Sequence, residues 1–237
     1  FTYPILKYCY RKRGEQGIKA IIIYPMNALA TDQAKRLAEM VFENEDLKKT
    51  VKIGMYVGDK GATKISEMTD INVINDRDVL RKDPPDILLT NYKMLDYLLT
   101  RPTDFELWTR NNSETLKFLA VDEFHTFDGA QGTDLACLIR RLKKHLGTPE
   151  NYLTCVGTSA TMGSDNNRAD MIKFASEVFG ESFSEDSIIT ESREKAIDFL
   201  EENNPRIFDI PSIDDLKSLE NSVSQDNYLD FMAKNYK

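Results

Sequence analysis

Histidine is scarce, with only His125 and His145 in 237 residues. Cysteine is hardly commoner: Cys9, Cys137 and Cys155 stand far apart and form no Cys-x-x-Cys pair. Zinc sites draw on closely spaced Cys and His, so no structural zinc is expected. An odd, scattered set in apolar settings reads as free thiols in a reducing compartment, and the expected location is cytoplasmic. No apolar run approaches the roughly 20 residues that cross a bilayer, so no membrane-spanning helix and no membrane partner are expected. The first residues, Phe1-Thr2-Tyr3-Pro4, carry no Met and no signal-peptide layout, and the chain reads as an excerpt. Surplus positive charge is missing too. The formal net charge is -8, which excludes a generally sticky polyanion binder.

What charge there is lies unevenly. Residues 181–237 hold 6 Lys+Arg and 14 Asp+Glu; taken from the chain's 31 and 39, this leaves residues 1–180 balanced at 25 of each. The balanced part can still present a local basic track, and the acidic part cannot easily do so.

Short apolar strands alternate with amphipathic helices through the balanced region. Ile5, Leu6, Cys9 and Tyr10 fall at helical spacing, and Lys19 to Tyr24 is a β-branched strand closed by Pro25. Asn27 is placed to cap the next helix, in which Leu29, Ala30, Gln33, Ala34 and Leu37 recur. Val51 to Val57 and Asp86 to Thr90 are further strands. A short helix is expected within 60–83, and a surface helix over 102–116. The run Phe118–Val121 is a buried strand. A helix over roughly 133–146 follows, then a strand at Tyr152–Gly157 and a helical pattern at 166–179. The cations from Arg140 to Lys144 read as helix-dipole partners or, alternatively, as phosphate contacts. Such alternation predicts an α/β fold, a parallel sheet flanked by helices. Helical patterns alone follow, at 191–203, 212–220 and 224–236. The expected organisation is a domain over 1–182 and an acidic helical extension or linker over 183–237.

The strand at Phe118–Val121 runs straight into Asp122, Glu123 and, after one spacer, His125. In open α/β sheets ligands bind beyond the carboxyl ends of the strands. Two adjacent acids there suit a site that holds a metal-bound phosphate ester and activates a water. Other strand ends also carry polar or glycine-containing groups: Pro25 to Asn27, Gly58-Asp59, Thr90-Asn91 and Ser159-Ala160-Thr161. In a parallel sheet all of them face one rim.

The order of these groups resembles the first RecA-like domain of superfamily 2 helicases, the DEAD/DEAH-box class. Pro25 to Gln33 is similar to its motif Ia, Thr90-Asn91-Tyr92-Lys93 to motif Ib, Asp122 to His125 to motif II, and Ser159-Ala160-Thr161 to motif III. The strings Pro84 to Asn91 and His125 to Asp134 resemble the Lhr-like branch. The resemblance covers about residues 1–180. It implies an ATP-dependent helicase or translocase, with ATP and Mg²⁺ as cofactors. Catalytic roles would fall to Asp122, Glu123 and His125, with Asp122 holding Mg²⁺ through water and Glu123 serving the attacking water. His125 would couple the nucleotide to Ser159 and Thr161. Pro25, Asn27, Gly58, Thr90, Asn91 and Lys93 would contact the nucleic acid, expected as single-stranded DNA or a tailed duplex, with RNA as the alternative. Asn27 and Asn91 stand where the DEAD-box pattern has Arg and Pro, which leans away from RNA.

One family feature is missing: residues 1–237 hold no GxxxxGK[ST] phosphate loop. The resemblance places that loop ahead of Phe1, and a second RecA-like domain of the same parent chain beyond Lys237. The fragment alone is then expected to be inactive as an ATPase. Two other readings remain open: a catalytically inactive RecA-like module that binds nucleic acid or a partner, and a metal hydrolase using Asp122, Glu123 and His125, for which ligands are few.

Overall fold

The computed structural model describes residues 1–58, 63–159 and 168–190. By its contacts the chain divides into two units, Phe1–Ile189 and Thr190–Lys237, and all the described residues but Thr190 belong to the first. The expected helices at 191–203, 212–220 and 224–236 lie outside the described residues.

The first unit is built on a five-stranded sheet. Its strands are β1 (Ala20–Tyr24), β2 (Ile53–Tyr56), β3 (Ile87–Asn91), β4 (Phe118–Val121) and β5 (Thr154–Gly157), in the order β2-β3-β1-β4-β5. Every pairing is parallel, with Ile23 opposite both Thr90 and Val121, and Val121 opposite Gly157. Parallel neighbours need long crossovers, and here helices supply them. Along β1 every residue is buried, because both faces of the sheet are covered.

Side chains alternate between those faces. Ala20, Ile22 and Tyr24 join Ile87, Leu89 and Ala120 under α1 (Thr2–Arg11), α2 (Asn27–Phe42) and α3 (Glu45–Thr50). Ile21, Ile23, Leu88, Leu119 and Val121 pack on the other side. They meet α4 (Arg77–Lys82), α5 (Tyr92–Thr100), α6 (Gly129–Leu146) and α7 (Arg168–Phe179). Among the described residues no helix is long and apolar enough to cross a membrane.

Two local expectations are corrected. Residues 102–116 hold no surface α-helix but a 3₁₀ turn, Pro102–Trp108, with Asp104, Leu107 and Trp108 buried. The pull is tertiary: Trp108 Nε1 donates to Leu98 O at 2.9 Å, and Asp104 accepts from Tyr56 Oη and Arg81 Nε. Asn27 does not cap α2; it is the first helical residue, after Met26. At the end of α6, Lys143, Lys144 and His145 fall in the last turn, where the helix-dipole reading put them, and three basic side chains of the helix also bond to neighbours. Arg140 donates to Glu177 O, Lys143 to Phe179 O, and Arg141 pairs with Asp96.

Candidate functional site

All five strands point the same way, so their carboxyl ends form one rim. At its middle, Asp122 leaves β4 with its N–H donating to Ile23 O at 2.9 Å. Thr158, just past β5, donates its hydroxyl to Asp122 Oδ1. The backbones are stitched as well: Thr158 N–H donates to Val121 O at 3.0 Å, and Phe124 N–H donates to Thr158 O at 2.7 Å. Beneath lies Tyr24, whose hydroxyl is pushed up in pKa by burial and then by the Asp122 carboxylate.

Glu123 adopts a left-handed backbone, φ 50° and ψ 45°. For a residue with a Cβ this costs about 1–2 kcal/mol, so the surroundings must hold it. They do so through Phe124. The turn drives that ring into the core, where it stacks on Phe179 (4.9 Å between centroids, 16° between planes) and tilts against Phe174. Glu123 and His125 on either side stay partly exposed at the rim. His125 Nδ1 sits 3.1 Å from Ser159 Oγ and 3.4 Å from Glu123 Oε2. Thr161 lies outside the described residues.

Beside this turn the rim opens into a cleft of about 420 Å³. Five of the six residues expected to touch nucleic acid line it: Pro25, Asn27, Gly58, Asn91 and Lys93. A hydrogen-bonded chain fixes three of them. Asn91 Oδ1 caps α5 by accepting from Met94 N–H at 2.7 Å, Asn91 Nδ2 donates to Asn27 Oδ1 at 2.7 Å, and Asn27 Nδ2 donates to Gly58 O at 3.4 Å. The two asparagines that depart from the DEAD-box pattern thus bond to each other across β1 and β3.

Thr90 is the exception. It is fully buried, and its hydroxyl donates to Tyr56 O at 2.7 Å, so it cannot reach a bound polymer. Sequence reasoning missed Thr158, Tyr97 and Gln131. The last two line the cleft, and Tyr97 stands one helical turn after Lys93, a spacing readable once α5 is assigned.

As a holder for Mg²⁺, Asp122 fits in kind. Oδ1 is engaged by Thr158, while Oδ2 has no hydrogen-bond partner among the described residues. A single hard oxygen suits an ion that keeps most of its waters. Among the described residues, no cluster of three or more His, Cys, Asp or Glu could hold a metal directly.

Comparisons with known proteins bear on the family and the fold. The pattern of the DEAD/DEAH box helicase family matches residues 1–169. Druantia protein DruE of Escherichia coli (strain UMEA 4076-1) is 38% identical over 86 residues, which are 34% of this chain and 5% of that protein. The uncharacterized ATP-dependent helicase MJ1574 of Methanocaldococcus jannaschii is 32% identical over 146 residues, 60% of this chain and 19% of that one. The chain therefore spans about a fifth or less of the length of these relatives. Among solved structures, the DEAD-box helicase Mss116 bound to ssRNA and UDP-BeF superposes with a TM-score of 0.54 at 17% identity. That match covers 77% of this chain and 32% of the other, and it carries the fold alone, a RecA-like sheet. With more than half its length matched, the chain belongs to the DEAD/DEAH box helicase family.

Proposed function

We propose that this chain forms most of the first RecA-like lobe of an ATP-dependent DNA helicase or translocase. One observation carries the reading: a single sheet edge holds both the Asp122–Glu123 turn and the Asn91–Asn27–Gly58 chain, so nucleotide chemistry and polymer grip share one rigid frame. In this reading Asp122 holds Mg²⁺ through water, and Glu123 orients and deprotonates the attacking water. His125 relays the state of that site to Ser159 and Thr161. Pro25, Asn27, Gly58, Asn91 and Lys93 grip the sugar–phosphate backbone and ignore sequence, as backbone contacts do. The partners are single-stranded DNA and a second RecA-like domain of the parent protein, in the cytoplasm.

The test is ATP turnover by the full-length protein with and without single-stranded DNA, repeated with Glu123→Gln. Loss of a general base lowers turnover by about 10²–10⁴-fold while leaving nucleotide binding intact. DNA-stimulated turnover that survives the substitution would remove Glu123 from its role. DNA binding without any ATPase in the wild type would favour the inactive-module reading.

A further inference from the structure

The cleft reaches past the groups already assigned to it. One wall is the exposed side of α5, where Lys93 and Tyr97 stand four residues apart, and Arg101, four further on, is the extended residue that follows the helix. Helical residues so spaced stand in a row on one face, about 6 Å apart along the axis. Lys93 and Tyr97 line the cleft, and the Arg101 guanidinium lies 4.1 Å from the centroid of the Tyr97 ring.

The charges in this row meet rings and no carboxylate among the described residues: the Lys93 ammonium lies 5.8 Å from the centroid of the Tyr92 ring. Neither Lys93 nor Arg101 makes an ion pair among the described residues, whereas Asp96 on the same helix is occupied by Arg141. Arg140 and Lys143 of α6 are likewise engaged by Glu177, Phe179 and Glu181. The ring is also solvated, as is that of Tyr3. Tyr97 is 48% exposed, in a domain that buries Tyr24 and Tyr56 almost completely. A solvated aromatic ring with a guanidinium on one side, near an ammonium that no carboxylate among the described residues neutralises, matches a ligand that alternates flat π-faces with negative charge. Single-stranded nucleic acid is such a ligand.

We propose that Tyr97 is a base-stacking platform. It receives one base of the strand whose backbone Lys93 holds, and Arg101 braces the ring from the other side and neutralises the next phosphate. This rests on the reading of the cleft as a polymer site. It adds a contact to a base where the strand-tip residues offer contacts to the backbone alone. Stacking of this kind is sequence-tolerant, so it lends affinity and register without selecting a base.

The experiment compares binding of an oligo-dT strand and of an abasic strand of equal length to the purified protein. Fluorescence anisotropy is the readout, with wild type, Tyr97→Ala and Tyr97→Trp. Tyr97→Ala should weaken oligo-dT by about 5- to 150-fold and leave the abasic strand unchanged, while Tyr97→Trp keeps both. A strand carrying 2-aminopurine should show quenching at one position that disappears in Tyr97→Ala. Equal losses on both strands, or no loss on either, overturn the platform while the cleft remains a polymer site. A wild type that binds neither strand overturns the polymer site itself, and the platform with it.

Discussion

At the scale of single residues, the most consequential contact is the hydroxyl of Thr158 on Asp122 Oδ1. It fixes which carboxylate oxygen is left without a partner among the described residues. Thr158→Val removes the donor at nearly constant volume and leaves that oxygen without a partner at a partly buried site, a loss of about 1–3 kcal/mol. We expect it to raise the Mg²⁺ concentration needed for half-maximal ATP turnover, and Thr158→Ser to restore it; a magnesium titration of all three proteins decides. The position of the two acids was legible in the sequence, since the apolar run before them reads as a buried strand and β4 ends directly ahead of Asp122. Thr158 was not, because its bond depends on β5 lying beside β4. The burial of Thr90 follows from its place inside β3, a strand covered on both faces and buried from Ile87 to Thr90, which likeness to a motif does not disclose.

At the scale of elements, the aromatic cluster of Phe124, Phe174 and Phe179 ties the acidic turn to α7. Gly157 at the end of β5 makes room for it. A Cβ there would stand 2.9 Å from Phe124 Cγ, and the ring is pinned on its other sides. Gly157→Ala should therefore cost about 1–3 kcal/mol by overpacking. It should also slow ATP turnover, since Glu123 and His125 flank the displaced ring. Urea denaturation reads the first effect, and the double substitution with Phe124→Leu should recover most of it; a fully stable Gly157→Ala would contradict this packing. Strands and helices were readable from periodicity wherever burial follows it. The 3₁₀ turn at Pro102–Trp108 was not, because Asp104 is held by Tyr56 and Arg81, both distant in sequence.

At the scale of the molecule, a net charge of -8 is compatible with the proposed strand-binding rim only if attraction is local. Binding to single strands should then depend on salt through few contacts, and Lys93→Ala should reduce the slope of log affinity against log salt by about 0.7. An unchanged slope in a salt titration would show that Lys93 meets no phosphate.

The strand order has an outcome for the newborn chain. β1 occupies the centre of the sheet, yet Ala20 pairs with Ile87 on one side and Phe118 on the other, 67 and 98 positions later. While the chain leaves the ribosome, Ile21, Ile22 and Ile23 must wait with both edges bare for partners not yet synthesised. Low-charge β-branched segments in that condition are the ones that pair with strangers. Truncated products that stop before Ile87 would carry this sticky centre with nothing to close over it, so early termination should yield aggregates where full-length synthesis yields folded protein.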